Sequence, residues 1–352
     1  MSEARAARAI RETLHRLRSA LTRCSSHSDL LDWGLPAPVK SLLVVRLGAM
    51  GDIIHSLPGA ASLKHSFPDA RLTWVIEPKW IPLLEGSGLV DRFVVFHRHD
   101  PASWKRTRHE LRAETYDLAV DFQGLVKSAV IAHVARPARL AGFASGVVRE
   151  RAAGLFYSTR VPSGAVHVVD QALDLAAGAG ARHLVRSFPL APGAPEGKLP
   201  DEPFVLASPL AGWTSKQWPL EYYEELADFV RARLGMAFVL NGAPGSVPDV
   251  RGTTKHESGI AGLIDATRRA SLVVGVDSGP LHLAAALNKS GAAIFGPTDP
   301  VRNGPYGGDF EVFRVPEART THRRGATIDD SMRAIRPERV ARALEARLAV
   351  HA

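Results

Sequence analysis

The run Ser41–Leu47, SLLVVRL, is apolar at odd and even positions alike. A strand of that kind presents both faces to a core, which is the condition of a parallel sheet covered by helices on each side. A Gly-containing turn and an apolar helical stretch, Ile53 to Leu63, follow it, and Pro58 is expected to kink or delay that helix. Further strands are expected at Leu72–Ile76, Phe93–Phe96 and Leu118–Phe122, with a helix over Leu125–Val134. This is the βαβ rhythm of an open, doubly wound sheet.

The rhythm breaks and restarts. Ala191–Pro203 (APGAPEGKLPDEP) is rich in Pro and Gly, has no periodicity and reads as a linker. After it come strands at Phe204–Ser208, Ala237–Asn241, Leu272–Val276 and Ala292–Phe295. Helices are expected at Leu220–Leu234, Ile260–Arg269, Pro280–Leu287 and Pro337–Val350. At 352 residues the chain is too long for one ordinary core and sufficient for two. The expected fold is α/β, two Rossmann-like doubly wound halves facing a cleft. Its parts are an extension (1–38), a first half (39–190), a linker (191–203), a second half (204–335) and a C-terminal helix (336–352).

In the extension, Ile10, Leu14, Leu17 and Leu21 recur at helical spacing among Arg5, Arg8, Arg11, Arg16, Arg18 and Arg23. A basic amphipathic helix of this kind either lies on an anionic bilayer or packs its stripe on the protein's own body. No run of about 20 uncharged residues offers a membrane span. The N-terminus lacks the apolar core of a secretory signal, so a cytoplasmic chain is expected. One cysteine, Cys24, excludes an internal disulfide framework, a cysteine-built zinc site and an iron–sulfur cluster. The formal charge of +8 suits an anionic partner, or reflects only a basic composition. No nucleic-acid-binding module is recognisable, so nucleic acid is not an expected partner.

Four motifs sit at strand ends, where open α/β sheets build their sites. Arg46-Leu47-Gly48-Ala49-Met50-Gly51-Asp52 follows the first strand; Gly48 and Gly51 allow close approach to a ligand, and Asp52 is either a helix cap or a functional carboxylate. Gly275–Leu283, GVDSGPLHL, runs from a buried strand into a helix, so the amides of Ser278 and Gly279 and the helix dipole converge on an anion site. Asp277, Ser278 and His282 add side chains there, with Pro280 in the first turn, and His282 is a ligand or a packed histidine. Trp213–Pro219, WTSKQWP, offers Thr214, Ser215 and Lys216 to an anion in the cleft, or is a solvated turn. Phe295–Pro300, FGPTDP, places Thr298 at another strand end, or is a rigid loop.

Absent patterns narrow the chemistry. There is no Asp-x-Asp, no Walker GxxxxGK[ST], no HExxH and no GxSxG. The pair of glycines at 48 and 51 lacks the GxGxxG spacing of a dinucleotide site, and Gly178-Ala179-Gly180 has His183 where a third glycine belongs. Neither a metal site nor a cofactor is expected.

Together with YDLAVDFQGLVKSA (116–129) and VRERAAGLFYSTR (148–160), these motifs resemble the bacterial lipopolysaccharide heptosyltransferases, glycosyltransferase family 9. DFQGLVKSA is most similar to the heptosyltransferase I branch, and the resemblance covers most of residues 41–350. It implies a GT-B fold, an ADP-heptose donor held mainly by the second half, and a Kdo–lipid A acceptor held by the first. It implies inverting transfer without metal, by an enzyme lying peripherally at the inner face of the cytoplasmic membrane. Asp52 would be the general base; Lys216, with the amides around Ser278 and Gly279, would meet the departing diphosphate, supported by Gly51, Thr214, Ser215, Asp277, Pro280, His282 and Thr298. Lys127, Arg149 and Arg151 are the candidate acceptor grips. The chain departs from the family pattern in its 38 extra residues and in NGAPGSVPDVRG (241–252), where the family carries a Glu toward the nucleotide. A related transferase using another nucleotide sugar on a cell-surface glycan, and a non-catalytic nucleotide-sugar-binding protein, are the alternatives.

Overall fold

The computed structural model describes residues 39–321 and 324–351; the extension 1–38, with its apolar stripe and Cys24, lies outside the described residues. The first half runs β1 (Ser41–Val45), α1 (Met50–Ser66), β2 (Arg71–Ile76), β3 (Arg92–Val95), α2 (Pro101–Arg112), β4 (Leu118–Asp121), α3 (Val126–Val134), β5 (Arg139–Phe143), β6 (Thr159–Val161) and α4 (Val168–Ala179). The second runs β7 (Phe204–Ser208), α5 (Leu220–Phe229), β8 (Ala237–Gly242), β9 (Thr254–Glu257), α6 (Ile260–Arg269) and β10 (Leu272–Val276). It continues through α7 (Gly279–Ala286), β11 (Ser290–Ile294), α8 (Pro300–Asn303), β12 (Asp309–Phe313), α9 (Asp330–Arg333) and α10 (Pro337–His351).

Each half holds one six-stranded sheet, ordered β3-β2-β1-β4-β5-β6 and β12-β11-β10-β7-β8-β9. Counted from its own first strand, each has the order 3-2-1-4-5-6 of a doubly wound dinucleotide-type sheet. The pairings are parallel. Order reverses between β1 and β4, where Val45 lies opposite Asp121, and between β7 and β10, where Ser208 lies opposite Gly275. The loops leaving these strand pairs therefore emerge side by side, and all four sequence motifs continue from β1, β7, β10 or β11.

Both faces of the central strands are buried, as their unbroken apolar runs require. In the second sheet Val205, Phe238, Leu240, Val274 and Ile294 face α5 and α10, with Trp218 and Tyr223 in the same core. Phe204, Leu206, Val239 and Val273 face the opposite way, against Ala266 of α6 and Ala284 of α7. Asp-Pro pairs start two helices that the sequence reading did not name: Asp100 caps Ala102 N–H at 2.8 Å and Asp299 caps Val301 N–H at 3.0 Å.

One local expectation is revised. Pro58 does not interrupt α1, which runs unbroken through 17 residues; Ile53, Ile54, Leu57, Ala60 and Leu63 are all buried, and this burial outweighs the hydrogen bond that Pro58 cannot donate. Gly178-Ala179-Gly180 ends α4, with Gly180 in the left-handed cap at φ 113°, so it is a helix stop. The segment after Ala191 is pinned: Ala191 and Ala194 N–H donate to Leu83 and Ala261 carbonyls, and Arg268 donates to the carbonyls of Ala191 and Pro192. Between β8 and β9 the crossover has no helix.

The seam between α1 and α4 depends on Gly59, where a Cβ would stand 2.6 Å from the Ala172 carbonyl oxygen and 2.7 Å from the Phe122 ring. Alanine in an open helix position is favoured over glycine by about 1 kcal/mol. Overpacking against backbone costs about 1–3 kcal/mol and wins here. Gly59→Ala should lower Tm by roughly 2–6 °C. Gly164→Ala, where a Cβ meets nothing within 4 Å, should leave it unchanged. A Gly59→Ala protein that melts at or above the wild-type temperature contradicts this packing.

Candidate active site

In the first half the site is built on a buried cation. Arg46, 5% exposed at the end of β1, donates to the Phe122 carbonyl at 2.6 Å and pairs with Asp52 Oδ1 at 2.8 Å. Asp52 lies in the first turn of α1, whose cap residue is Ala49 without a side-chain bond, so Asp52 is not the cap. Its Oδ1 also accepts from Arg149 Nη2 at 2.9 Å, across 97 residues of sequence. Burial alone would raise the Asp52 carboxyl, but Arg46 and then Arg149 outweigh it and hold the group well below the usual carboxylate range.

DFQG supplies the scaffold for this pairing. Asp121 is fully buried and accepts from the N–H groups of Gln123 and Gly124, from Ser128 Oγ and from Tyr157 OH at 2.7 Å. Gln123 Oε1 accepts from Leu47 N–H at 2.9 Å, tying the turn after β4 to the turn after β1. Glu150 N–H donates to the Gly124 carbonyl, and Glu150 Oε2 accepts from Val126 N–H. The segment that carries Arg149 is thereby fixed to the same turn.

In the second half Asp277 is the hub. Lys216 Nζ lies 3.0 Å from Asp277 Oδ2 and His282 Nε2 lies 3.3 Å from Asp277 Oδ1. Burial would raise the Asp277 carboxyl; the hydrogen bond from His282, followed by the nearby positive charge, holds it well below its ordinary range. Lys216 also lies 4.9 Å from the centre of the Trp213 ring. Ser278 is the cap residue of α7 yet makes no side-chain cap bond. The buried Ser278 Oγ, Thr298 Oγ1 and His282 Nδ1 have no partner in the protein. Polar atoms left so at a helix N-terminus are suited to accept a ligand's hydrogen bonds.

The two halves meet where the N-termini of α1 and α7 touch. A Cβ on Gly51 would stand 2.6 Å from His282 Cδ2, and one on Gly279 2.7 Å from Met50 Sδ. A Cβ on Gly48 would stand 2.6 Å from Trp80 Nε1. These glycines thus admit protein side chains, a role that sequence reasoning gave to a ligand for Gly48 and Gly51. Beside them the His55 ring meets those of His282 and His167 edge-on, with centroids 4.3 Å and 6.0 Å apart. Burial, then His282, pulls the His55 imidazole well below its ordinary value and keeps it neutral.

A cleft of about 790 Å³ opens beside this contact, within the size range of sites for nucleotide-sized ligands. Asp52, Arg149, Lys216, Asp277 and Thr298 all line it, together with Gly51, Ser278, Gly279 and His282. Thr214, Ser215 and Pro280 do not line it; Ser215 is buried beneath the loop and Thr214 is exposed. Lys127 and Arg151 are exposed and lie outside the cleft lining. Arg302 and Arg324 line it without having been foreseen, as do Trp213 and His55. Arg46 lies outside this lining but carried a signal, as the single charge in the apolar run Ser41–Leu47. Among the described residues no group of three His, Cys, Asp or Glu side chains is arranged to hold a metal ion. Among them, too, no helix is long and apolar enough to cross a membrane.

Residues 104–330 match the family model of glycosyltransferase family 9 (heptosyltransferase). Lipopolysaccharide heptosyltransferase 1 of Pseudomonas aeruginosa is 29% identical over 294 residues, 76% of this chain and 81% of the relative. The Escherichia coli K12 protein of the same name is 27% identical over 308 residues, 78% of this chain and 93% of the relative. Among solved structures, E. coli heptosyltransferase WaaC with ADP superposes with a TM-score of 0.71 at 22% identity, covering 87% of this chain and 99% of that one. E. coli ADP-heptose lps heptosyltransferase II gives 0.71 at 22% identity, over 88% of this chain and 99% of that one. The fold is GT-B, and the chain belongs to glycosyltransferase family 9, the heptosyltransferases.

Proposed function

We propose that this glycosyltransferase moves heptose from ADP-heptose to a Kdo residue of the lipopolysaccharide inner core, inverting the anomeric carbon without a metal ion. The observation that carries it is one cleft lined by the Asp52 carboxylate and its partner Arg149 from the first half and by an anion-suited helix end from the second. The relatives named for heptosyl transfer to lipopolysaccharide support the choice of sugar and acceptor. Since that acceptor is anchored in lipid, the enzyme would work peripherally at the inner face of the cytoplasmic membrane.

In the reaction the acceptor hydroxyl gives its proton to Asp52 while its oxygen forms the new bond to the anomeric carbon. The bond from that carbon to the diphosphate oxygen breaks, and its electron pair leaves with ADP. The departing charge meets Lys216, the amides at the start of α7, and the unpartnered hydroxyls of Ser278 and Thr298. Asp277 aims Lys216 through their 3.0 Å pair, and being itself anionic it serves as an orienting group beside the diphosphate.

A second reading, a donor other than ADP-heptose, draws on the connection after β8. There Ala243–Thr253 has neither a helix nor a Glu to meet the nucleotide. Transfer measured from a panel of nucleotide sugars to deacylated Kdo–lipid A should be greatest with ADP-heptose, and a clear preference for a different nucleotide would move the function to this alternative.

Asp52→Asn keeps the shape but not the proton acceptor. Its kcat should fall at least ~100-fold while the Kd for ADP stays within a few-fold. A kcat within tenfold of wild type removes Asp52 from the base role. Lys216→Met should weaken ADP binding by ~10-fold or more, as loss of a charge-assisted contact does, and wild-type activity should persist in EDTA. A strict requirement for Mg²⁺ or Mn²⁺ would rule out diphosphate neutralisation by protein groups alone.

A further inference from the structure

Beside Asp52 a recess of about 50 Å³ adjoins the main cleft. It has room for a few water-sized groups, and hence for one small polar substituent of a ligand. Three of its lining residues are arginines, Arg46, Arg149 and Arg302, and Asp52 is its one carboxylate. Arg302 comes from the other half of the molecule, on α8, which Asp299 caps. Its guanidinium donates to Asn303 Oδ1 at 2.8 Å, and among the described residues it forms no ion pair. Burial, then the Arg149 guanidinium, draws the Arg302 group below its ordinary value, against the pull of Asp52 and Asp299. A half-buried cation that faces another cation and has only an amide for a partner is matched by an anionic ligand.

Two anions could meet it, the donor's diphosphate or an acidic acceptor. Arg302 also lines the main cleft, but in the recess it stands with Arg149 and Asp52, and neither Lys216 nor Asp277 reaches that recess. The acceptor fits better. We propose that Arg302 is the second half's contribution to the acceptor site: with Arg149 it grips the carboxylate of an acidic sugar, drawing Arg149 away from Asp52. A carboxylate held by two guanidiniums is a weak base, and losing one of them raises its basicity. The base would then be released only when an acidic acceptor sits between the two halves, which selects for such acceptors. This inference rests on the reading above that the first half takes an acidic sugar acceptor.

The test compares wild type with Arg302→Gln and Arg302→Lys on deacylated Kdo–lipid A and on its carboxyl-reduced counterpart, with ADP binding measured by calorimetry. Arg302→Gln should raise the KM for the acidic acceptor ~10-fold or more and leave the Kd for ADP within twofold, with Arg302→Lys between. On the carboxyl-reduced acceptor, wild type and Arg302→Gln should turn over alike. A weakened ADP affinity with unchanged acceptor KM, or an equal loss on both acceptors, overturns the assignment. If the wild-type protein transfers nothing from ADP-heptose, the proposed reaction fails by itself. Binding of free Kdo to the ADP-saturated proteins then decides for Arg302: weaker binding by Arg302→Gln upholds it, and equal binding overturns it.

Discussion

The N-termini of α1 and α7 meet across the cleft because Gly51 and Gly279 have no side chains, and much else depends on that contact. Each helix leaves the switch point of its own doubly wound sheet, so each brings the positive end of its dipole to the same place. With His282 against Gly51 and Met50 against Gly279, the first turn of one helix fills the space the other leaves open. Asp52 and Lys216, more than 160 residues apart in sequence, consequently line one cleft. Neither half alone would combine a carboxylate paired with Arg46 and Arg149 with an anion-suited helix end.

The electrostatics follow from this convergence of positive ends. Two helix N-termini and the guanidiniums of Arg46, Arg149 and Arg302 leave the region rich in positive charge, with Asp52 and Asp277 as its counterweights. Both carboxyls are held well below their ordinary range despite burial, so both remain charged across the physiological pH range. His55, between the halves, is kept neutral by that same burial and adds no further repulsion. A site built this way favours anionic ligands on both sides, a use for the chain's formal charge of +8 that composition by itself could not establish.

Much of the architecture was legible because buried parallel strands announce themselves. Phe204–Ser208 and Leu272–Val276 are observed at the expected bounds, since strands covered on both faces must be apolar throughout. The strands left unforeseen, β5, β6, β9 and β12, lie at or next to sheet edges. β9, TKHE, buries only His256, and β12, DFEVF, is buried only at Phe313, so neither has an apolar run to read. At the site the GD and DSG motifs pointed to Asp52, Asp277 and Ser278, because a strand end running into a helix is a local pattern. The Arg149–Asp52 pair and the arrival of Arg302 from the second half are tertiary events, and no spacing in the chain encodes them. Lys127 and Arg151 share charge and neighbourhood with Arg149, yet they point to solvent: the pinning of the 148–150 segment to Gly124 and Val126 fixes where Arg149 goes.

That one cleft serves as the meeting point of an anionic donor and a base-activated hydroxyl can be tested most directly by a crystal structure with ADP and a Kdo acceptor fragment. The diphosphate should lie at the start of α7, in hydrogen-bond reach of Lys216 and Ser278, with the acceptor hydroxyl roughly 2.6–3.2 Å from Asp52. A diphosphate bound away from α7, or an acceptor whose hydroxyls reach no oxygen of Asp52, would contradict it.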